Sequence, residues 1–245
     1  MGLKQTIRKR WPASAIVYRR FRSTIGRLLR RDATAAAEFQ RIHDSNAWGS
    51  AQSRSGRGSE DIQTAYLQTE LPALFQRLGV QSILDAPCGD FHWMSGVPMG
   101  GVHYTGVDIV PALVENTRAR YESQNPQRQF VCRNIIEDPL PKADLIFCRD
   151  CLVHLPLKDI WRAIENFRRS GATYLLTTTF PGHDRKNANW DIAVGDWRAL
   201  NLLEPPFRFP KPVELINERC SEGDGEFRDK SLGLWRLSDL PAGPS

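Results

Sequence analysis

Five polar residues stand at four strand ends, where an α/β sheet would use them. Asp85 closes a short apolar run, Ser82-Ile83-Leu84-Asp85, and the turn formers Ala86-Pro87-Cys88-Gly89-Asp90 follow. The run is too short for a helix and reads as a buried strand. Asp108 closes the next apolar stretch, Val102 to Val107, Asn134 follows a third, and Asp150 and His154 follow a fourth. A glycine-bearing turn after one strand, with a carboxylate at the tip of the next, is how such sheets hold a nucleoside. Gly89 lets backbone approach a ligand, and Asp108 accepts from ribose hydroxyls. Ligands sit at the carboxyl ends of strands beside the switch in strand order, which directs Asp150 and His154 toward the reacting centre. His154 is the best general-base candidate, because an imidazole titrates near neutral pH. The competing reading packs His154 under the next helix and gives Asp150 a binding role. Cys148-x-x-Cys151 with His154 three residues on has metal-ligand types. Cys148 lies inside an expected strand, however, where thiols are core, and no metal site is assigned.

The elements that must position these residues alternate regularly. Strands are expected to end at Asp85 and Asp108 and to span 129–133, 144–149 and 174–178, with helices over 111–121 and 156–169. Strand–helix alternation means a parallel sheet with right-handed crossovers. Strands over 213–217 and 231–237 follow with no helix between them, an antiparallel pair at the C-terminal end. Upstream, the residues from Asp32 to His43 are helical in propensity. Asn46 to Ser59 is a Gly/Ser-rich loop carrying Trp48. It leads to a helix with Ser59 as N-cap, interrupted and restarted at Pro72 and ended by Gly79. The expected organisation is an arm (1–31), a helical cap and loop (32–80) and an α/β body (81–240).

Composition excludes several classes. The 245 residues are 41% hydrophobic and 25% charged, and no apolar run reaches membrane-spanning length. The five cysteines are odd in number and scattered, which predicts reduced thiols and a cytoplasmic setting. The net charge of +5 is uneven: residues 1–31 hold ten basic residues and no acid, leaving 23 basic against 28 acidic elsewhere. The basic balance therefore belongs to the arm, and the body does not suggest a nucleic-acid substrate. In the arm, Val17, Phe21, Ile25 and Leu28 fall at helical spacing among arginines. Two readings stand: a helix lying peripherally on an anionic membrane face, or an extension packing on the body.

Residues 180–211 lack any period and are rich in proline. A loop this long inside a domain is usually functional. It carries His183, Asp184, Trp190 and Arg198. Short polar groups interleaved with tryptophan suit a sugar: hydroxyls pair with the polar groups, and an aromatic face packs on C–H surfaces. The alternative is a loop folded on itself.

Asp85-Ala-Pro-Cys-Gly-Asp90 resembles motif I of class I S-adenosylmethionine (SAM) methyltransferases, usually Asp-x-Gly-x-Gly-x-Gly. Of the three glycines only Gly89 is kept; Pro87 and Phe91 replace the others. The stretch does not fit the dinucleotide pattern Gly-x-Gly-x-x-Gly. Trp48-Gly49, Cys148-Arg-Asp-Cys-Leu-Val-His154, Leu176-Thr-Thr-Thr-Phe-Pro181 and Lys230-Ser-Leu-Gly-Leu-Trp235 are similar to bacterial enzymes of glycan synthesis, including nodulation-type sugar O-methyltransferases, over about 45–238. The resemblance implies a Rossmann-like, seven-stranded, mostly parallel sheet with helices on both faces. It implies SAM bound by Asp85, Pro87, Gly89, Asp108, Ile109, Asn134, Ile135 and Asp150, with Phe91 also against the adenine. His154, Asp150 or Asp184 would be the base. Trp48, Arg54, Ser55, His183, Trp190 and Arg198 would meet the acceptor, with 54–59 forming a lid or an anion-binding nest. The acceptor is expected to be a sugar hydroxyl, met in the cytoplasm at the inner membrane face. The alternatives are a small-molecule amine or carboxylate, or a non-catalytic SAM-binding protein.

Overall fold

Helix α1 (Ala35–Ser45) opens on Thr34, whose hydroxyl accepts from the Ala37 N–H at 3.2 Å, and closes on Asn46 in the left-handed region. The computed structural model of the protein describes residues 34–182 and 189–244. The arm at 1–31 and the loop residues His183 and Asp184 lie outside the described residues.

Helix α2 runs unbroken from Asp61 to Leu78 with Pro72 inside it, so the expected restart at Pro72 does not occur. Leu67, Leu71, Leu74 and Phe75 form one buried face that holds both halves against the sheet. Ser59 is not the cap: it sits in a short 3₁₀ turn, and the side chain of Gln52 reaches the Asp61 N–H at 3.0 Å. Gly79 closes α2 in the left-handed conformation (φ 63°), where a glycine has no Cβ penalty.

Strands β1 (Ser82–Asp85), β2 (His103–Asp108), β3 (Arg128–Cys132), β4 (Leu145–Cys148), β5 (Tyr174–Thr179), β6 (Glu214–Asn217) and β7 (Ser231–Arg236) form one sheet in the order β3-β2-β1-β4-β5-β7-β6. The first five are mutually parallel, and β7 runs antiparallel to both β5 and β6. The order reverses between β1 and β4, so their carboxyl ends frame a crevice. Helix α3 spans Pro111–Tyr121 and helix α4 spans Leu157–Arg169.

Side chains alternate across the sheet and build a core on each face. Ile83, Leu145 and Phe147 pack with α2 and α3; Leu84, Ile146 and Cys148 pack with Ile160, Ile164 and Phe167 of α4. Among the described residues no helix lies between β5 and β6. Leu200, Leu202, Phe207 and Phe209 of that long connection cover the α4 face instead. Its polar groups are spent internally: the Asn189 amide donates to the Asn201 carbonyl (2.7 Å), and its carbonyl accepts from the Asn201 N–H (2.9 Å). The segment is a folded substitute for the missing crossover helix, which explains its proline content and lack of period.

Candidate active site

The crevice between β1 and β4 opens into a cavity of about 1050 Å³, its mouth included. Most of the residues singled out from the sequence line it: Trp48, Arg54, Ser55, Asp85, Pro87, Gly89, Asp108, Ile109, Asn134, Ile135, Asp150 and His154. Trp190 and Arg198 do not. Phe91 is not a wall of the cavity either. It is buried against Tyr104, Tyr121 and Phe130 at ring separations of 4.8–5.1 Å, and serves the core. The lining residues that the sequence did not single out include Ala35, Phe39 and His43, one stripe of α1, together with Trp93, Val110, Leu113, Arg133, Ile136 and Arg149.

One half of the cavity sets a buried carboxylate beside an apolar slot. Asp108 is buried; its two oxygens accept from the Gly89 N–H (3.1 Å) and the Val110 N–H (3.0 Å). Burial raises its pKa to about 6 against the pull of those N–H groups. A carboxylate so held keeps lone pairs for ligand hydroxyls. Beside it Ile109, Val110, Leu113, Ile135 and Ile136 make an apolar slot. Asn134 stands at its edge; its carbonyl accepts from the Ile136 N–H at 2.9 Å and retains a second lone pair. Asp85, at the tip of β1, is bonded to the Tyr104 hydroxyl, and burial pushes its pKa up to about 8.

The loop before α2 is clamped onto this half. Asp90 accepts from the Ser53 hydroxyl (2.9 Å), the Arg54 N–H (2.7 Å) and the Ser55 hydroxyl (3.3 Å), and its own N–H donates to Ser55 Oγ (3.1 Å). The expected anion nest at 54–59 is thus engaged at its start by a carboxylate of the chain itself. Gly89 has φ +55°, and a Cβ there would stand 2.0 Å from Ser55 Oγ. The close approach that demands glycine is therefore with the clamped loop.

The floor beneath β4 holds four charges. Glu218 Oε2 accepts from Arg149 Nε (3.0 Å) and Nη2 (2.7 Å), and Lys230 Nζ binds Asp150 Oδ2 at 2.5 Å. Arg149 Nη2 also reaches the Gly58 carbonyl at 2.9 Å, fastening the far end of the clamped loop. Two buried cations against two carboxylates leave no net charge, as a buried cluster requires. Burial opposes ionisation of Asp150, but Lys230 and Arg149 overcome it and hold its pKa at about 2. Asp150 is therefore a fixed anion and a poor base.

His154 lines the same cavity. Its Nδ1 lies 2.9 Å from the Asp196 carbonyl. A carbonyl can only accept, so Nδ1 carries the proton and Nε2 is left with a free lone pair. Burial lowers the imidazole pKa, against the opposing pull of the Asp196 carbonyl and Asp150, so the ring is neutral at pH 7. The indole of Trp48 stacks on it at 4.9 Å.

Residues 83–171 match the family model described as a methyltransferase domain. The chain is a SAM-dependent methyltransferase. No curated protein matches it. Among solved structures it is similar to the N-methyltransferase NodS from Bradyrhizobium japonicum WM9, at 16% identity and TM-score 0.53, over 72% of this chain and 97% of that one. It is also similar to magnesium protoporphyrin IX methyltransferase from Synechocystis PCC 6803 with bound SAH: 16% identity, TM-score 0.43, 62% of this chain and 69% of that one. Human N-acetylserotonin methyltransferase in complex with SAM is a third, at 13% identity and TM-score 0.45, over 86% of this chain and 56% of that one. At 16% identity the likeness to NodS speaks for the fold alone.

The methyltransferase cavity fits its cofactor. Asp108 would accept from the ribose hydroxyls, the Ile109–Leu113 and Ile135 side chains would flank the purine, and Asp150 would face the ammonium group. SAM, when bound, supplies a methyl group on a sulfonium centre that departs in line to a nucleophile.

Proposed function

We propose that the enzyme methylates a hydroxyl of a sugar, within a glycan or lipo-oligosaccharide of the nodulation-factor type, with His154 as general base. The observation that carries this reading is the His154 imidazole. It is held neutral, its Nε2 lone pair is free of the Asp196 contact, it lies in the cavity wall, and an indole stacks on it. A hydroxyl must lose its proton as it is methylated, and a positioned base contributes about 10²–10⁴-fold. Trp48 and Phe39, with rings 6.3 Å apart, give an aromatic wall of the kind that packs on sugar C–H surfaces. Arg54 stands on the same cavity wall, where a hydroxyl or acidic group of the acceptor can meet it. Alignment of donor and acceptor by the walls can supply roughly 7–11 kcal/mol of the barrier.

Asp184, proposed alongside as an alternative base, and His183 lie outside the described residues. Asp150 is better suited to holding the cofactor's ammonium group than to taking a proton. The basic residues of 1–31 fit an enzyme that meets a lipid-linked acceptor at an anionic membrane surface.

Transfer of radiolabelled methyl from SAM to a panel of oligosaccharides, glycolipids, small amines and small carboxylic acids tests the acceptor class. Alkali-stable label on a sugar oxygen is expected. Label confined to amines or carboxylates overturns the sugar reading. Cofactor binding without transfer to any acceptor would favour a non-catalytic role.

A further inference from the structure

His154 is gripped by one short segment of the long loop. The Gly195 N–H donates to the His154 carbonyl (3.0 Å), and the Asp196 carbonyl accepts from the His154 ring (2.9 Å). The Arg198 N–H donates to the Val153 carbonyl (3.2 Å), and its Nη1 to the Leu155 carbonyl (2.8 Å). Four hydrogen bonds from three residues of this short run thus hold the histidine's own backbone, its ring and both neighbours. Gly195 has φ +80°, and a Cβ there would meet Ile42 and Glu38 of α1 at 2.7 and 2.9 Å. The segment is therefore wedged between α1 and the turn that carries His154.

Arg198 is an odd residue for a purely structural part. It is 0% exposed, it stands outside the cavity, and its Nε and Nη2 make no hydrogen bond among the described residues. A buried guanidinium that spends one arm on a carbonyl and leaves two N–H groups unmatched is a poor choice for stability. Such violations of local rules are expected where a residue serves the site.

We propose that residues 195–198 are the positioning device of the base, and that Arg198 is its central residue, clamping Val153 and Leu155 so that the His154 ring presents Nε2 to the cavity. This rests on the reading of His154 as the base, but concerns a different residue, one that touches neither cofactor nor acceptor. The charges around the ring fit the same role. Asp150 on its own turn favours protonation, as does the Asp196 carbonyl; Arg198 from the loop and Lys230 just before β7 disfavour it. Arg198 is thus a fixed positive charge behind the ring that helps keep it neutral. Burial in turn lowers the pKa of Arg198 itself to about 10, still charged at pH 7.

The test is histidine NMR on the full chain, with His154 assigned by its loss in His154→Gln. Long-range proton–nitrogen correlation reports which ring nitrogen carries the proton, and a pH titration follows its ionisation. Wild type is expected to show the Nδ1–H tautomer. In Arg198→Met the tautomer should become mixed and the titration should move to higher pH, while Arg198→Lys, which restores one donor and the charge, should return both toward wild type. S-adenosylhomocysteine (SAH) binding and the melting curve show that each variant is folded. An unchanged His154 tautomer and titration in folded Arg198→Met overturns the proposal. So does an Nε2–H tautomer in wild type. Undiminished methyl transfer by His154→Gln would instead remove the base reading, and is a separate outcome.

Discussion

Asp108 makes its two roles pull in opposite directions with pH. Its ordinary pKa is 3.8 and its folded value about 6, so the folded protein binds this proton more tightly than the unfolded chain. The stability that this proton contributes is complete below 3.8 and lost as pH rises through 6. The proposed cofactor contact runs the other way, because ribose hydroxyls would need the ionised carboxylate as acceptor. Calorimetry with SAH should therefore show affinity falling about tenfold between pH 7 and pH 5, as a group with a pKa near 6 loses its charge. Asp108→Asn should bind more weakly at pH 7 and lose most of that dependence. Equal affinity of the wild type at both pH values would remove Asp108 from the cofactor contacts. The place of Asp108 was readable, because a carboxylate closing a strand is a local pattern. The protonated nitrogen of His154 was not: its partner Asp196 is 42 residues away, in a stretch without a period.

Between β1 and α2 a single carboxylate does the organising. Asp90 gathers Ser53, Arg54 and Ser55, while Arg149 holds Gly58, so the loop carrying Trp48 is pinned at two points. Asp90→Ala should lower global stability by about 1–3 kcal/mol, the range for hydrogen bonds to a charged, partly buried group. Faster amide exchange should be confined to the pinned loop and the turn after β1. Gly89→Ala should act on the same contact from the other side, forcing a Cβ into Ser55 at a positive φ; SAH affinity should fall at least about tenfold. Exchange unchanged in both variants would mean that the loop needs no clamp. The glycines and serines of this stretch were legible as a loop, but the role of Asp90 was not, since its partners lie 35–37 residues upstream. Pro72 misled for a similar reason. Tertiary burial of Leu67, Leu71, Leu74 and Phe75 carries α2 through a residue that breaks isolated helices.

At the scale of the whole molecule, the sheet was readable because each crossover is local and alternates helix with strand. The apolar runs also marked all seven strands to within a residue or two. Less legible was how the last connection serves the core. Among the described residues between β5 and β6 no helix forms; proline-rich backbone covers α4 instead, and from that cover residues 195–198 reach His154. Arg198 and Trp190, read as acceptor contacts because they are polar or aromatic loop residues, are not part of the cavity wall. The basic arm makes its prediction at this scale too. Removing residues 1–31 should abolish sedimentation with anionic vesicles at low salt and leave SAH affinity unchanged; undiminished vesicle binding would refute a membrane role.

The central claim is that His154 takes the proton from an oxygen acceptor. It is tested most directly by kcat for methyl transfer to a sugar hydroxyl in the wild type and in His154→Gln. A loss of about 10²–10⁴-fold, with SAH affinity unchanged, is predicted. An undiminished kcat in folded His154→Gln would contradict it.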